Sequence, residues 1–464
     1  MLNLEFMNNQ LLEFIGAKVE AQRAYFRSGA TLSYEFRIRQ LRRLQEALEE
    51  WEKPLCDALW HDLHKSYEEA VMTELSIVRG EIKNHIRHLR GWMRTRRIPS
   101  PLKMFPSTTR VLTQPLGTAL IIAPWNYPVQ LLLNPLVGAI SSGCTAVLKT
   151  SPYVPNVAQV LVQMIGCTFE EQYITVINGH REMNSALLEQ HFDHIFFTGS
   201  PSLGQRVMEA AAKHLTPVVL ELGGKSPCIV TESADLKVAA RRIAWGKTIN
   251  AGQTCIAPDY LLIHHSLKER FTEEFRTAIE ELHGKDARES RHYGRMVSAK
   301  AFERVVGYMT EGRVLVGGNS NADERYIEPT LLEVTNLQAA VMQEEIFGPI
   351  LPVVTYKAEE EIAEFVGSRP HPLALYYFGE RKRGEELLRH TLSGGACLND
   401  TIMHIVNDRA PFGGVGNSGM GRYHGKESFL AFSHRRTVVA TPKHFDLPLR
   451  YMPYKLFGLI KRFL

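Results

Sequence analysis

Cys255 closes the run Asn250-Ala251-Gly252-Gln253-Thr254-Cys255, a thiol in a small, polar, glycine-containing stretch. Upstream, Glu221-Leu222-Gly223-Gly224-Lys225 sets a carboxylate beside two glycines. A sulfur nucleophile and a separate general base suffice for acyl chemistry through a thioester. Each also has a plainer reading: a lone Cys is commonly a small buried hydrophobe, and a lone Glu a solvated surface charge. Other runs widen the chemistry. Pro124-Trp125-Asn126-Tyr127-Pro128 holds a carboxamide between aromatics and prolines, a turn residue or a rigid oxyanion donor. Lys149 ends an apolar run, where it snorkels from a core or reaches ribose hydroxyls at the carboxyl edge of a parallel sheet. In Gly199-Ser200-Pro201-Ser202-Leu203-Gly204, glycines let backbone approach a phosphate at a helix start. That spacing is not the G-x-G-x-x-G fingerprint, and alone it is also an ordinary turn and cap. Glu344-Glu345-Ile346-Phe347-Gly348-Pro349 is a helix end or loop, or a ribose-binding Glu beside a ring that packs on a nicotinamide.

These residues need a frame. Apolar runs at 118–123, 145–149, 173–177, 194–197 and 218–220 read as buried parallel strands. Helical stretches such as 156–165 and 203–213 lie between them, which predicts a doubly wound α/β sheet. Strands at 228–230, 260–263 and 350–354 with helices at 236–248 and 267–282 predict a second α/β unit beginning after Glu221. Before the first unit, residues 11–93 read as helices. Leu41, Leu44, Leu48, Trp51 and Leu55 fall at helical spacing, with Pro54 ending or kinking the run. Arg87 to Arg97 reads as a solvated helix face followed by a loop. Residues 108–113 read as a detached extended ribbon reaching to another part of the molecule or to a partner. Residues 411–421 form a glycine-rich loop.

The totals exclude several classes. The chain has 464 residues, 44% of them hydrophobic, enough for large cores. Lys+Arg 54 against Asp+Glu 50 leaves a formal charge of +4, too diffuse to point to nucleic acid. The six cysteines form no C-x-x-C pair and no zinc-spaced Cys/His cluster, so no metal site is expected. No signal-peptide pattern or membrane-length apolar run is visible. Free thiols in a reducing compartment, and so a cytoplasmic location, are the expectation. The basic and apolar tail, 449–464, has two readings: an amphipathic helix on an anionic membrane surface, or a terminal helix docked on the protein or its partner subunit.

Taken in order, Asn126 in its Pro-Trp-Asn-Tyr-Pro setting, residues 199–204, Glu221-Leu222-Gly223-Gly224-Lys225, Gly252-Gln253-Thr254-Cys255, residues 344–349 and residues 411–421 resemble the aldehyde dehydrogenase superfamily from about 22 to 437. Ala211-Ala212-Lys213-His214-Leu215-Thr216-Pro217, Ala257-Pro258-Asp259-Tyr260 and Gly419-Met420-Gly421-Arg422-Tyr423-His424-Gly425 resemble its class 3 branch, which includes fatty and aromatic aldehyde dehydrogenases.

The resemblance implies an α/β fold of two doubly wound domains and a bridging, oligomerisation β-ribbon. An NAD(P)-binding domain would span 1–94 and 117–220, a catalytic domain 221–428, and the ribbon 95–116 and 429–448, with 449–464 as the tail; class 3 relatives are dimers. It implies that Cys255 attacks the aldehyde carbon, that Asn126 and the Cys255 N–H hold the oxyanion, and that Glu221 activates water against the thioester. Lys149 and Glu345 would hold ribose hydroxyls, Gly199 and Ser200 would lie near the pyrophosphate with Gly204 in the same motif, and Phe347 near the nicotinamide ribose. Tyr127, Ile402 and His404 would line the substrate tunnel, while Cys144, Cys228 and Cys397 would be structural. The implied activity is NAD(P)-dependent oxidation of medium-chain, fatty or aromatic aldehydes to acids. Acyl transfer to CoA and a non-catalytic role on the same fold are the alternatives. One departure stands out: Lys149-Thr150-Ser151-Pro152 replaces the family's common Lys-Pro-Ser-Glu, whose Glu contacts the adenosine ribose. Pro152 can neither accept that hydroxyl bond nor repel a 2′-phosphate, so NADP should be tolerated alongside NAD.

Overall fold

The computed structural model describes residues 2–446, 451–454 and 457–461. The first third is helical because its apolar residues recur on one face. In the helix Tyr34–Glu50, Leu41, Leu44 and Leu48 are fully buried. Ser33 caps it, its Oγ accepting the Phe36 N–H at 3.1 Å. The sequence pattern carried this helix to Pro54, but the break falls at Trp51. Pro54 sits in the first turn of the next helix, Glu52–Leu63, where a missing N–H costs nothing. The arginine-rich stretch also differs from expectation. Its helix ends at Trp92, and Arg96–Ile98 is a strand rather than a loop.

Thr118–Ile122, Thr145–Lys149, Ile174–Ile177, His194–Thr198 and Val218–Glu221 form a parallel sheet, with Gly419–Met420 antiparallel at one edge. Thr118–Ile122 lies between Thr145–Lys149 and His194–Thr198. Chain order therefore reverses between the first strand and the fourth, and a crevice opens beyond Ile122 and Thr198. The segments bearing Asn126 and Gly199 leave from that crevice. Glu221 is the last residue of its strand in this sheet.

A seven-stranded sheet has the order Arg313–Val316, Thr330–Glu333, Ile350–Tyr356, Tyr260–His264, Pro227–Val230, Ala374–Phe378, Gly395–Leu398, parallel except for its first strand. Cys255 lies in the connection between the helix Leu236–Thr248 and the strand Tyr260–His264. Arg96–Ile98, Thr108–Pro115 and Ser433–Ala440 make an antiparallel three-stranded ribbon. Two doubly wound α/β sheets and a ribbon are the fold class the sequence predicts. The expected tail helix over 449–464 falls partly outside the described residues; within them, Phe457–Ile460 is helical.

Candidate active site

The nucleophile's approach is set by backbone geometry. Asn250, Ala251 and Gly252 have φ of 50°, 52° and 74°, a left-handed run of three. Each non-glycine residue there costs about 1–3 kcal/mol and persists only if its surroundings over-determine it. They do. A Cβ on Gly252 would lie 2.3 Å from the Gly348 carbonyl oxygen, so only glycine fits. Asn250 Nδ2 donates to the carbonyls of Asn126 at 2.8 Å and Gln253 at 3.1 Å. Gln253, fully buried, donates through Nε2 to Asn250 O at 2.9 Å and Arg295 O at 3.0 Å, and its Oε1 accepts the Val297 N–H at 2.9 Å.

Asn126 is buried, and one of its two amide hydrogens goes to the Gln253 carbonyl, Nδ2 to O 3.1 Å. The other hydrogen remains a donor for an oxyanion. Its backbone is fixed by a pair the sequence gave no sign of. Lys65 and Glu74, both wholly buried, pair at 2.6 Å. Lys65 Nζ also donates to Asn126 O at 3.1 Å, and Glu74 Oε2 accepts the N–H groups of Val129 and Gln130 at 2.8 and 3.2 Å. Glu74 lies in a π-helical turn, Val71–Leu75, a deviation common near functional sites.

Two cavities meet at Cys255. One, of about 480 Å³, is walled by Tyr127, Leu131, Trp245, Ile402, Phe412 and Tyr423. The other, of about 1180 Å³, runs past Trp125, Asn126, Gly199, Ser200, Glu345 and Phe347. Cys255 and Glu221 line both. Burial raises the Cys255 thiol far above its ordinary range, and the Glu345 and Glu221 carboxylates add to that; its own N–H and that of Ile256 oppose it. Glu221 is buried with neither carboxylate oxygen hydrogen-bonded, and burial alone lifts its carboxyl well above the usual range. A carboxyl held up in this way is a stronger base than an exposed one.

The larger cavity fits a dinucleotide. Ser200 begins the helix Pro201–Ala212 without a side-chain cap, leaving N–H groups for an anion. A Cβ on Gly223 would lie 2.2 Å from Glu345 Oε2, so glycine is what admits that carboxylate. Burial and then Asp259 push the Glu345 carboxyl up to about 8, against the Gly224 N–H and Lys225. Phe347, at φ 50°, meets the Trp125 ring edge-on with centroids 5.3 Å apart.

Three expected residues stand off these walls. Lys149 donates to the carbonyls of Thr150 at 2.6 Å and Gly179 at 2.8 Å, and burial lowers its ammonium to about 8. Gly204 packs under Leu222, whose Cδ2 would lie 2.8 Å from a Cβ there. His404 meets Cys397 Sγ through Nδ1 at 3.4 Å and stacks on Phe412. None of the three lines either cavity. Conversely, Trp245, Phe412 and Tyr423 escaped the sequence reading, since a buried aromatic looks the same in any core.

The aldehyde dehydrogenase family model matches residues 12–438. The chain belongs to the aldehyde dehydrogenase family. It is 43% identical over 456 residues to the 4,4'-diaponeurosporen-aldehyde dehydrogenase of Staphylococcus aureus, covering 97% of this chain and 99% of that one. It is 43% identical over 446 residues to the dimeric NADP-preferring aldehyde dehydrogenase of Canis lupus familiaris, covering 95% and 98%. Among solved structures, the substrate-bound state of Staphylococcus aureus AldH superposes with a TM-score of 0.95 at 43% identity, covering 97% of this chain and 99% of that one. An aldehyde dehydrogenase that oxidises aldehydes is what this membership makes the chain, and the two cavities of the site accord with it.

Proposed function

We propose that this aldehyde dehydrogenase oxidises medium- or long-chain or aromatic aldehydes to carboxylic acids, with NAD or NADP, by covalent catalysis on Cys255. The observation that carries the proposal is the place of Cys255, where an apolar cavity meets one suited to a dinucleotide. Cys255 Sγ adds to the carbonyl carbon, and the free Asn126 amide hydrogen with the Cys255 N–H takes the oxyanion. A nicotinamide dinucleotide, once bound, would supply the hydride acceptor needed to reach a thioester. Glu345, Gly199, Ser200 and Phe347 would hold that cofactor, with Lys149 behind them. Glu221 then draws a proton from water, which attacks the thioester and releases the acid. Pro152, half-buried after the strand Thr145–Lys149, presents no carboxylate to a 2′-phosphate. Tyr127 fixes the floor near the nucleophile, its hydroxyl 2.6 Å from Thr254 Oγ1.

The mouth of the smaller cavity supports this substrate class. Met72, Met403 and Val406 line it and are 64%, 45% and 55% exposed. Such lips accept an apolar tail longer than the cavity. Each further buried CH₂ contributes about 0.8 kcal/mol. The name of the Staphylococcus aureus relative, a diaponeurosporen-aldehyde dehydrogenase, points the same way. The test is absorbance at 340 nm with NAD and NADP across linear alkanals, benzaldehyde and glyceraldehyde. KM should fall with chain length, and preference for glyceraldehyde would overturn the substrate class. Acid formed without CoA separates this reading from acyl transfer.

Among the described residues, the ribbon's outer strand Ser433–Ala440 pairs on one side only, with Thr108–Pro115. An open strand edge of this kind supports a homodimer, which light scattering tests. Arg97, Arg110 and Arg436, which the strand register puts on one face of the ribbon, support peripheral contact with an anionic membrane, together with the basic tail. Among the described residues no helix is long and apolar enough to cross a membrane. Co-sedimentation with anionic liposomes that survives deletion of 449–464 would assign the contact to the ribbon; none with the full chain would end the idea.

A further inference from the structure

Glu69 is a buried carboxyl that the mechanism above leaves unused. It lies in the short helix Tyr67–Ala70, far from Cys255 in sequence. Its Oε1 accepts the backbone N–H of Asn250 at 2.8 Å. Asn250 opens the left-handed run that ends at Gly252, just before Gln253, Thr254 and Cys255. Glu69 also lines the smaller, apolar cavity.

The other hydrogen bonds that hold the run come from amides and backbone groups, none of which changes charge near neutral pH. Glu69 does. The groups that face it are Lys65, whose ammonium is committed to Glu74 at 2.6 Å, Glu74 itself, and the Tyr127 phenol. Burial pushes the Glu69 carboxyl up to about 7; Lys65 and the Asn250 N–H oppose the rise, and Glu74 adds to it.

We propose that Glu69 is a positioning residue for the nucleophile: from the wall of the aldehyde cavity it holds the turn that carries Cys255, through the Asn250 N–H. This rests on the reading of Cys255 as nucleophile. Either protonation state has an oxygen that can accept, but the ionised one makes the stronger bond. The turn is therefore held more firmly as pH rises through neutrality.

Two variants test this in the full chain. Glu69→Ala removes the acceptor, and kcat should fall about ten- to hundredfold, with cofactor KM changed less than about threefold. Glu69→Gln keeps an amide oxygen for the Asn250 N–H but cannot ionise. Its kcat should return to within about threefold of the unmodified chain near pH 6, and the ratio of unmodified to Gln kcat should climb several-fold by about pH 8. A residue that served folding alone would not produce that pH-dependent ratio. A ratio flat between these two pH values overturns the proposal, and so does a Glu69→Ala kcat within about twofold of the unmodified chain. If Glu69→Ala does not fold, the Gln ratio still decides. A Cys255→Ala enzyme that kept its activity would instead refute the nucleophile assignment. An inactive Cys255→Ala beside a fully active Glu69→Ala refutes the Glu69 proposal alone.

Discussion

The two cavities that meet at Cys255 are made of different things. The side proposed for the cofactor is polar, with backbone and glycine at its closest approaches: Gly199 and Ser200 at a helix start, and Gly223 and Gly224 against Glu345. The aldehyde side is side-chain surface: Tyr127, Trp245, Ile402, Phe412 and Tyr423. A backbone cradle tolerates almost no substitution, because a Cβ at Gly223 meets a carboxylate oxygen at 2.2 Å. An apolar wall tolerates any residue of similar volume. One side can thus stay fixed on one cofactor type while the other drifts between aldehydes.

The largest effect should come at the shared point. Cys255→Ala should lower NAD(P)H formation at least about a thousandfold, since it removes the covalent step for both cavities at once. Glu221→Gln should leave a single burst of reduced cofactor per subunit and then stop, seen by stopped-flow absorbance. The sign of the pH dependence follows from burial. The Glu221 carboxyl is raised, so as the proposed base it would be protonated and idle below its shifted pKa and able to act only above it. Steady-state rate should rise with pH on that account, and the Glu221→Gln burst should lack this limb.

Next comes the cofactor wall. Gly223→Ala should raise cofactor KM about tenfold or more while aldehyde KM moves less than about threefold. Equal effects on both would break the division between the cavities. The mirror variant, Trp245→Ala, should raise KM for a long alkanal about tenfold, leave a short one nearly unchanged, and leave cofactor binding alone. The smallest change should be Pro152→Glu, which restores the carboxylate of the family's common Lys-Pro-Ser-Glu. NADP kcat/KM should fall about three- to tenfold, with NAD steady or improved.

The same contrast explains what the sequence disclosed. The five parallel strands of the first sheet and three strands of the second were legible because strands buried on both faces read as unbroken apolar runs, whereas Arg313–Val316, Thr330–Glu333, Ala374–Phe378 and Gly395–Leu398 were not read. Cys255, Glu221, Asn126 and Glu345 were singled out by their motifs and the resemblance those carry, and the structure brings all four to the walls of one cavity. Trp245, Phe412 and Tyr423 were not, since their positions depend on how distant elements pack. Glu69 and Glu74 look like solvated charges on an amphipathic helix and Lys65 like one in the loop before it, and nothing local shows that all three are buried. The misplaced helix end at Pro54 has a local cause: a proline in a first turn gives the same signal as one that ends a helix.

The left-handed run before Cys255 also bears on the order of folding. Its hydrogen-bonding partners lie at Glu69, Asn126, Arg295 and Val297, at sequence separations of up to 181 residues. Contacts so far apart along the chain form late, after the entropy of closing large loops has been met. The turn therefore cannot set until the helical N-terminal region has docked against the second sheet. A nascent or half-folded chain therefore carries the cysteine without the left-handed run that orients it.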